Sequence, residues 1–236
     1  MKQLDLQVVG RGGARPLQFG VRRMVNAGYV GRNREAVMAH IEELARLGVA
    51  PPPSVPMIFP VLSHNISTSP QIEVVSRKTS GEVEYVLLID SGKVFVGVGS
   101  DHTDRDLEAY SIVQSKQVCA NVLSPQVWPY EEVKEDWDRL LIQSWVREGD
   151  GKEEVLYQSA PLGAILSAEE MMALVFARVE GGVSDGLVIY SGTVPVLTGE
   201  MVCGSRFRCA LTRPDSGKAL RCEYEVKILD FVSTPA

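Results

Sequence analysis

The stretch Gly81-Glu82-Val83-Glu84-Tyr85-Val86-Leu87-Leu88-Ile89-Asp90-Ser91-Gly92-Lys93-Val94-Phe95-Val96-Gly97-Val98-Gly99-Ser100-Asp101 decides the fold. Two runs rich in β-branched and aromatic residues, Val83–Ile89 and Val94–Val98, flank the turn dipeptide Ser91-Gly92. A tight hairpin there pairs Asp90 with Lys93, and every further pair keeps the same sum of residue numbers. Glu82 then faces Asp101, and Glu84 faces Gly99. Strand residues alternate faces, so Glu82, Glu84 and Asp101 share one side of the sheet. The glycine opposite Glu84 is expected to leave room above them. A change of one residue in the loop would turn Asp101 to the other face.

Directly opposed strand residues lie ~4.5–5.5 Å apart at Cβ, and like charges there repel. A hard divalent cation with oxygen ligands, Mg²⁺, Mn²⁺ or Ca²⁺, would offset that repulsion. The other reading is three solvated acids on the wet face of an antiparallel hairpin.

Outward from this hairpin the pattern is mostly strand. Residues 4–9 read as a short first strand, and Gly10-Arg11-Gly12-Gly13-Ala14-Arg15-Pro16 reads as a flexible segment. Val37, Ile41 and Leu44 recur at helical spacing, which predicts a helix over 34–47 with Asn33 as its cap and Gly48 as its stop. Ala50-Pro51-Pro52-Pro53-Ser54 should be a stiff connector. Strands are expected over 57–62, 71–75, 187–190, 207–211 and 219–229. A hairpin is expected from 140–146 and 153–157, and the last two strands are joined by a turn at 213–217. A polar helix is expected at 103–114. A second amphipathic helix covers 171–179, with Ser167 as cap and Glu170 three residues on. This predicts an α+β, mainly β fold in one domain of residues 1–236: an N-terminal extension 1–28, a helix and Pro-rich connector 29–55, and a β-rich core 56–232.

The chain has 236 residues and a formal net charge of −6. An acidic chain without a basic block is a poor partner for nucleic acid or an anionic membrane. No apolar run approaches the ~18 residues that span a bilayer. The N-terminus lacks the apolar core of a signal peptide, so the expected address is cytoplasmic. Cys119, Cys203, Cys209 and Cys222 form no C-x-x-C pair and are expected as buried small hydrophobes in a reducing compartment, with a disulfide as the alternative.

Two further elements carry chemistry. His40 and Glu43 lie at i and i+3, so they meet on one helix face, where a carboxylate orients the ring and raises its basicity. A half-buried helix His beside a surface Glu is the alternative. Lys116 follows Asp101 by one polar helix; a Lys near a cation is disfavoured unless an anionic ligand lies between them, and an ordinary surface Lys is the alternative. His64 has no such partner, and His102 points to the face opposite Asp101 and is expected to be structural. Trp128, Trp137, Trp145 and Met171-Met172 are expected in packing.

Several segments resemble the fumarylacetoacetate hydrolase superfamily, as a divergent branch. Glu82-Val83-Glu84 resembles its E-x-E strand. Gly99-Ser100-Asp101-His102-Thr103-Asp104-Arg105-Asp106-Leu107 is similar to its Asp-x-Thr-x-Arg-Asp-Leu segment, and Ser115-Lys116 to its downstream Lys. Val30-Gly31-Arg32-Asn33 resembles the segment leading into its lid helix. Pro56-Met57-Ile58-Phe59 is similar to its first core strand. Ser191-Gly192-Thr193 with Gly199-Glu200 resembles its Gly-Thr turn and acidic pair. The resemblance runs from about residue 29 to 229.

It implies a mixed β-sandwich roll with a few short helices and Mg²⁺ (or Mn²⁺ or Ca²⁺) held by Glu82, Glu84 and Asp101. Lys116 would stabilise charge on a substrate oxygen. His40 and Glu43 would position or activate water from a lid. Arg32, Thr193 and Glu108 would contact substrate. Several departures surround the pocket. His40 lies further from Gly31-Arg32-Asn33 than in familiar members, and the insertion between the E-x-E strand and the Asp is reduced to a bare turn. Glu108 stands in place of a common Gln, and Val61 in place of a common Lys. The implied function is hydrolysis of a carbon–carbon bond in an oxo or dioxo acid, acylpyruvate-like, through a metal-chelated enolate. Decarboxylation, hydration or tautomerisation on the same site is the alternative, as is a non-catalytic oligomeric binding module or a metal-free cysteine hydrolase. Family members are commonly dimers, so a homodimer with a small oxo-acid partner is expected.

Overall fold

The computed structural model describes residues 1–46, 51–182 and 185–232. Along the chain, β1 (Lys2–Gly10), β2 (Gly13–Val21) and β3 (Arg23–Gly28) precede α1 (Arg34–Arg46). Then come β4 (Met57–Val61), β5 (Ile66–Ser67), β6 (Gln71–Val74), β7 (Thr79–Asp90) and β8 (Lys93–Asp104). The short helices α2 (Arg105–Tyr110) and α3 (Ile112–Val118) lead to β9 (Asn121–Leu123) and β10 (Gln126–Pro129). The rest is β11 (Leu141–Arg147), β12 (Val155–Pro161), α4 (Ala168–Phe176), β13 (Leu187–Tyr190), β14 (Arg206–Thr212) and β15 (Ala219–Ile228). The mainly β architecture with a few short helices agrees with the expectation.

These strands make two sheets. The larger runs β2-β1-β10-β8-β7-β13-β3-β4, with β9 pairing both β8 and β5. The smaller runs β12-β11-β14-β15-β6. β7 and β8 sit at the centre of the large sheet and are buried on both faces, which is why they read as nearly continuous apolar runs. On one face Val83, Tyr85 and Leu87 pack in the core shared with Phe207, Leu211 and Tyr224 of the small sheet. On the other, Val86 and Leu88 pack with Leu4, Leu6 and Phe19 of the β1–β2 hairpin. Glu82 and Glu84 alternate in phase with Val86 and Leu88. They therefore continue this second apolar face beyond its end.

The predicted register is the observed one. Asp90 pairs with Lys93, Glu84 with Gly99 and Glu82 with Asp101. Both turn residues take positive φ, Ser91 at 50° and Gly92 at 70°, the signature of a two-residue hairpin turn whose twist matches the strands. α4 starts on the predicted capping box: the Glu170 N–H donates to Ser167 Oγ at 3.2 Å and the Ser167 N–H to Glu170 Oε2 at 2.8 Å. α1 starts where expected, with the Ala36 N–H on Asn33 Oδ1 at 3.1 Å. Its predicted stop at 47–48 lies outside the described residues.

Other expectations are corrected. The Gly/Arg-rich segment is not a loose linker: residues 11–12 form a tight turn and Gly13–Pro16 begin β2, paired in register with β1. The outward-facing Arg15 and Pro16 hid this strand. The polar helix of 103–114 breaks in two at Ser111, whose extended backbone (φ −156°) ends α2 and whose hydroxyl caps α3. Residues 103–104 belong to β8 instead. Cys119, Cys209 and Cys222 are buried and free as expected, but Cys203 is exposed, lying between strands. Among the described residues no helix is long and apolar enough to cross a membrane.

Candidate functional site

Hairpin register brings Glu82, Glu84 and Asp101 to one face, at the end of the apolar row. Asp101 and Glu84 are buried, at 1% and 2% exposure. Lys116 comes down from α3 onto Asp101 Oδ2 and is itself 6% exposed, its ammonium 5.7 Å from the Phe59 ring. A surface Lys is thereby ruled out. Asp101 also accepts a 3.5 Å contact from the Asn121 amide on β9.

Each acid has its own partner. Glu84 Oε2 accepts the Gly192 N–H at 2.8 Å. Gly192 sits at φ 79°, where a Cβ would also lie 2.8 Å from Val30; the Ser191-Gly192-Thr193 turn needs this glycine to aim its N–H. Glu82 pairs with Arg105 at 3.4 Å, and Arg105 pairs with Glu108 at 2.6 Å. Arg105 begins α2, directly after the last residue of β8, so the motif's Arg returns to the same patch as its Asp. Sequence reasoning quoted Arg105 without giving it a role; the positive charge beside an acidic strand pair was the available signal.

Burial and mutual repulsion govern the electrostatics. Burial pushes the Glu84 carboxyl well above the ordinary carboxylate range, and the Asp101 charge adds to this. Lys116 and the Gly192 N–H oppose it. Burial likewise raises Glu82, against the pull of Arg105. Burial alone would depress the Lys116 ammonium, but Asp101, Glu84 and Glu82 outweigh it and hold the lysine charged. His102 lies on the far face as expected. It is fully buried, its Nδ1 is 3.0 Å from the Tyr224 hydroxyl, and burial lowers its pKa to about 3, so it is a neutral structural group.

The remaining predicted residues divide. Thr193 donates to the Val83 carbonyl at 2.7 Å and accepts from Gln158 at 2.8 Å, while Gln158 Oε1 also takes the Val83 N–H. Thr193 and Gln158 thus pin the backbone between the two glutamates. Arg32 is held bidentately by Asp138 at 2.7 and 2.9 Å, tying the start of the α1 segment to the residues before β11. His40 and Glu43 lie on α1 at the predicted spacing, but their side chains are outside what the structure describes. His64 is exposed. Tyr29, not singled out from the sequence, takes a left-handed φ of 58°, unusual for a bulky residue. Its hydroxyl feels both Glu108 and Lys116.

The patch was expected to be a ready convergence of carboxylates. Among the described residues no three Asp, Glu, His or Cys side chains already meet at one point suited to a metal ion. The physical reason is that Arg105, Gly192 and Lys116 draw the three acids in separate directions. The donor set nevertheless fits a hard divalent cation. All the donors are oxygen, and among the described residues four carboxylates (Glu82, Glu84, Asp101, Glu108) face two cationic groups, Lys116 and Arg105. With all four ionised the patch carries two negative charges beyond Lys116 and Arg105, which match one divalent ion.

Two packed sheets with this hairpin at their centre define a fumarylacetoacetate hydrolase-like fold. The chain is similar to a crystal structure of Cg1458, with 13% identity, a TM-score of 0.65 and coverage of 96% of this chain and 100% of that one. A structure of Cg1458 with inhibitor is 18% identical, with a TM-score of 0.66, over 92% of this chain and 81% of that one. A 2-keto-3-deoxy-D-arabinonate dehydratase complexed with magnesium and 2,5-dioxopentanoate is 20% identical, with a TM-score of 0.62, over 92% and 76%. Within this fold the chain belongs to the family described as "Protein of unknown function (DUF2848)", which it matches over residues 27–224. No curated protein matches it.

Proposed function

We propose that this protein is a divalent-metal-dependent enzyme of the fumarylacetoacetate hydrolase superfamily acting on an oxo or dioxo acid. One observation carries the reading: Glu82, Glu84 and Asp101 share one face, with Glu84 and Asp101 buried beside a buried, charged Lys116. The fold neighbour bound to magnesium and a dioxo acid supports it.

Mg²⁺, or Mn²⁺ or Ca²⁺, held by Glu82, Glu84 and Asp101 would act as a Lewis acid toward adjacent substrate oxygens. Lys116 stabilises negative charge as it develops on a substrate oxygen, which is worth most in a dry, low-dielectric pocket. His40 and Glu43 hold or move a proton on water from the α1 side. Thr193 orients substrate while bracing β7, Glu108 contacts substrate while holding the Arg105 guanidinium in place, and Arg32 meets a substrate carboxylate by giving up Asp138 for it. Carbon–carbon bond hydrolysis is the leading reaction. Dehydration, decarboxylation and tautomerisation use the same groups. The separate protein partners of the three acids favour one second reading, a binding module that kept the fold. A cytoplasmic homodimer completes the proposal.

The test is a Mg²⁺- and Mn²⁺-supplemented screen of acylpyruvates, oxaloacetate and 3-deoxy-2-oxo acids, with wild type beside Glu84→Ala and Lys116→Ala. Metal-dependent turnover lost in both variants supports the reading. Metal binding with no turnover of any oxo acid would favour the binding module. Turnover unchanged in Glu84→Ala would contradict the metal site.

A further inference from the structure

Asn121 opens β9 and pairs directly with Asp101 across β8. It therefore extends the Glu82–Asp101 row by one strand, on the same face. Its side chain is fully buried, at 0% exposure. The amide nitrogen points at Asp101 Oδ1, 3.5 Å away, whereas the amide oxygen has no hydrogen-bond partner among the described residues. A carboxylate only accepts, so this contact fixes which end of the amide is nitrogen and which is oxygen.

An acceptor stripped of water and left unpaired is destabilising, and an apolar residue at this point would avoid the cost. The next two residues of β9, Val122 and Leu123, are apolar and buried. What sets Asn121 apart is its place: its buried oxygen lies beside the carboxylate face, where a bound group can pair with it. Two carboxylates, Glu82 and Asp101, lie in the same row and Glu84 in the next row of the same face, so the partner this oxygen lacks is cationic. An amide carbonyl is a hard oxygen donor of the kind Mg²⁺ and Ca²⁺ accept.

We infer that Asn121 Oδ1 is a fourth protein ligand of the divalent cation held by Glu82, Glu84 and Asp101. The inference rests on the metal reading proposed above. In the loaded protein Asn121 supplies a neutral oxygen, while its N–H end holds the Asp101 carboxylate in place.

Calorimetric titration of Mn²⁺ into wild type, Asn121→Leu, Asn121→Ala and Asn121→Asp tests it, with circular dichroism confirming the metal-free folds. Leu and Ala remove the oxygen; two sizes guard against a packing failure in either. Both should weaken Mn²⁺ at least about tenfold. Asn121→Asp keeps a ligating oxygen but removes the N–H donor, and should bind at least as tightly as wild type. If Asn121→Asp weakens Mn²⁺ as much as Asn121→Leu, the residue only orients Asp101 and the inference fails. If the Leu and Ala variants bind like wild type, it fails while the metal reading survives. If wild type itself takes up no Mn²⁺, both fail together.

Discussion

Glu82 and Asp101 stand directly opposite one another across β7 and β8, and the two-residue turn at Ser91-Gly92 puts them there. Both turn residues occupy left-handed φ, which Asn tolerates better than Ser and Gly best of all. Ser91→Asn should therefore raise the melting temperature slightly. Gly92→Ala should cost roughly 1 kcal/mol, from the penalty of a Cβ at positive φ. A thermal melt of each variant checks this; a neutral Gly92→Ala would mean that the turn is not under this constraint.

Glu84→Gln should stabilise the metal-free protein. The folded state holds the Glu84 proton to higher pH than the unfolded chain does, because burial raises this carboxyl. Stability from that source is present at low pH and lost as pH rises from the ordinary carboxylate value through the raised one. Metal-free wild type should therefore melt lower as pH climbs through that window, and Glu84→Gln should lose this part of the slope. Added Mg²⁺ should raise the wild-type melting temperature more at higher pH, since binding needs the deprotonated acid. Parallel pH–melting curves for the two proteins would refute this account.

Asn26 is fully buried in β3 between Tyr190 and Phe59, its cross-strand neighbours, and neither end of its amide has a partner among the described residues. Replacing an unpaired buried amide by an apolar group of similar shape removes a desolvation penalty of about 1–3 kcal/mol. Asn26→Leu should raise stability in urea titrations by an amount within that range. A lower midpoint would show that the amide is satisfied in solution.

Gly99 was expected to leave space above Glu84. Instead, a Cβ there would lie 2.4 Å from the Val122 carbonyl oxygen, because β9 presses against β8 at this point. Gly99→Ala should cost about 1–3 kcal/mol by overpacking. It should also push β9, and Asn121 with it, away from Asp101. Lowered stability together with weakened Mg²⁺ binding is the expected pair of results; lowered stability alone would show that β9 takes no part in the site.

The carboxylate face was legible because a two-residue turn leaves no freedom: once Asp90 meets Lys93, every later pair follows. The α4 capping box was legible for a similar reason, since Ser167 and Glu170 satisfy each other locally. β2 was not, because its first four residues are exposed and its glycines and proline read as loop. Nor were the partners that split the three acids. The Gly192 N–H is a backbone group with no side-chain signature, and Arg105 reaches Glu82 only because β8 runs straight into α2. Asn26 had a faint signal as a polar residue inside the run Met24-Val25-Asn26-Ala27. Asn121 had less, since only the pairing of β9 with β8 brings it beside Asp101.

The most direct measurement is a calorimetric titration of Mg²⁺ and Mn²⁺ into the purified, metal-stripped protein, repeated on Glu84→Ala. One divalent ion bound per chain in wild type, and none in the variant at the same concentrations, is the predicted result. No binding to wild type, or equal binding to both proteins, would contradict a metal centre built on Glu82, Glu84 and Asp101.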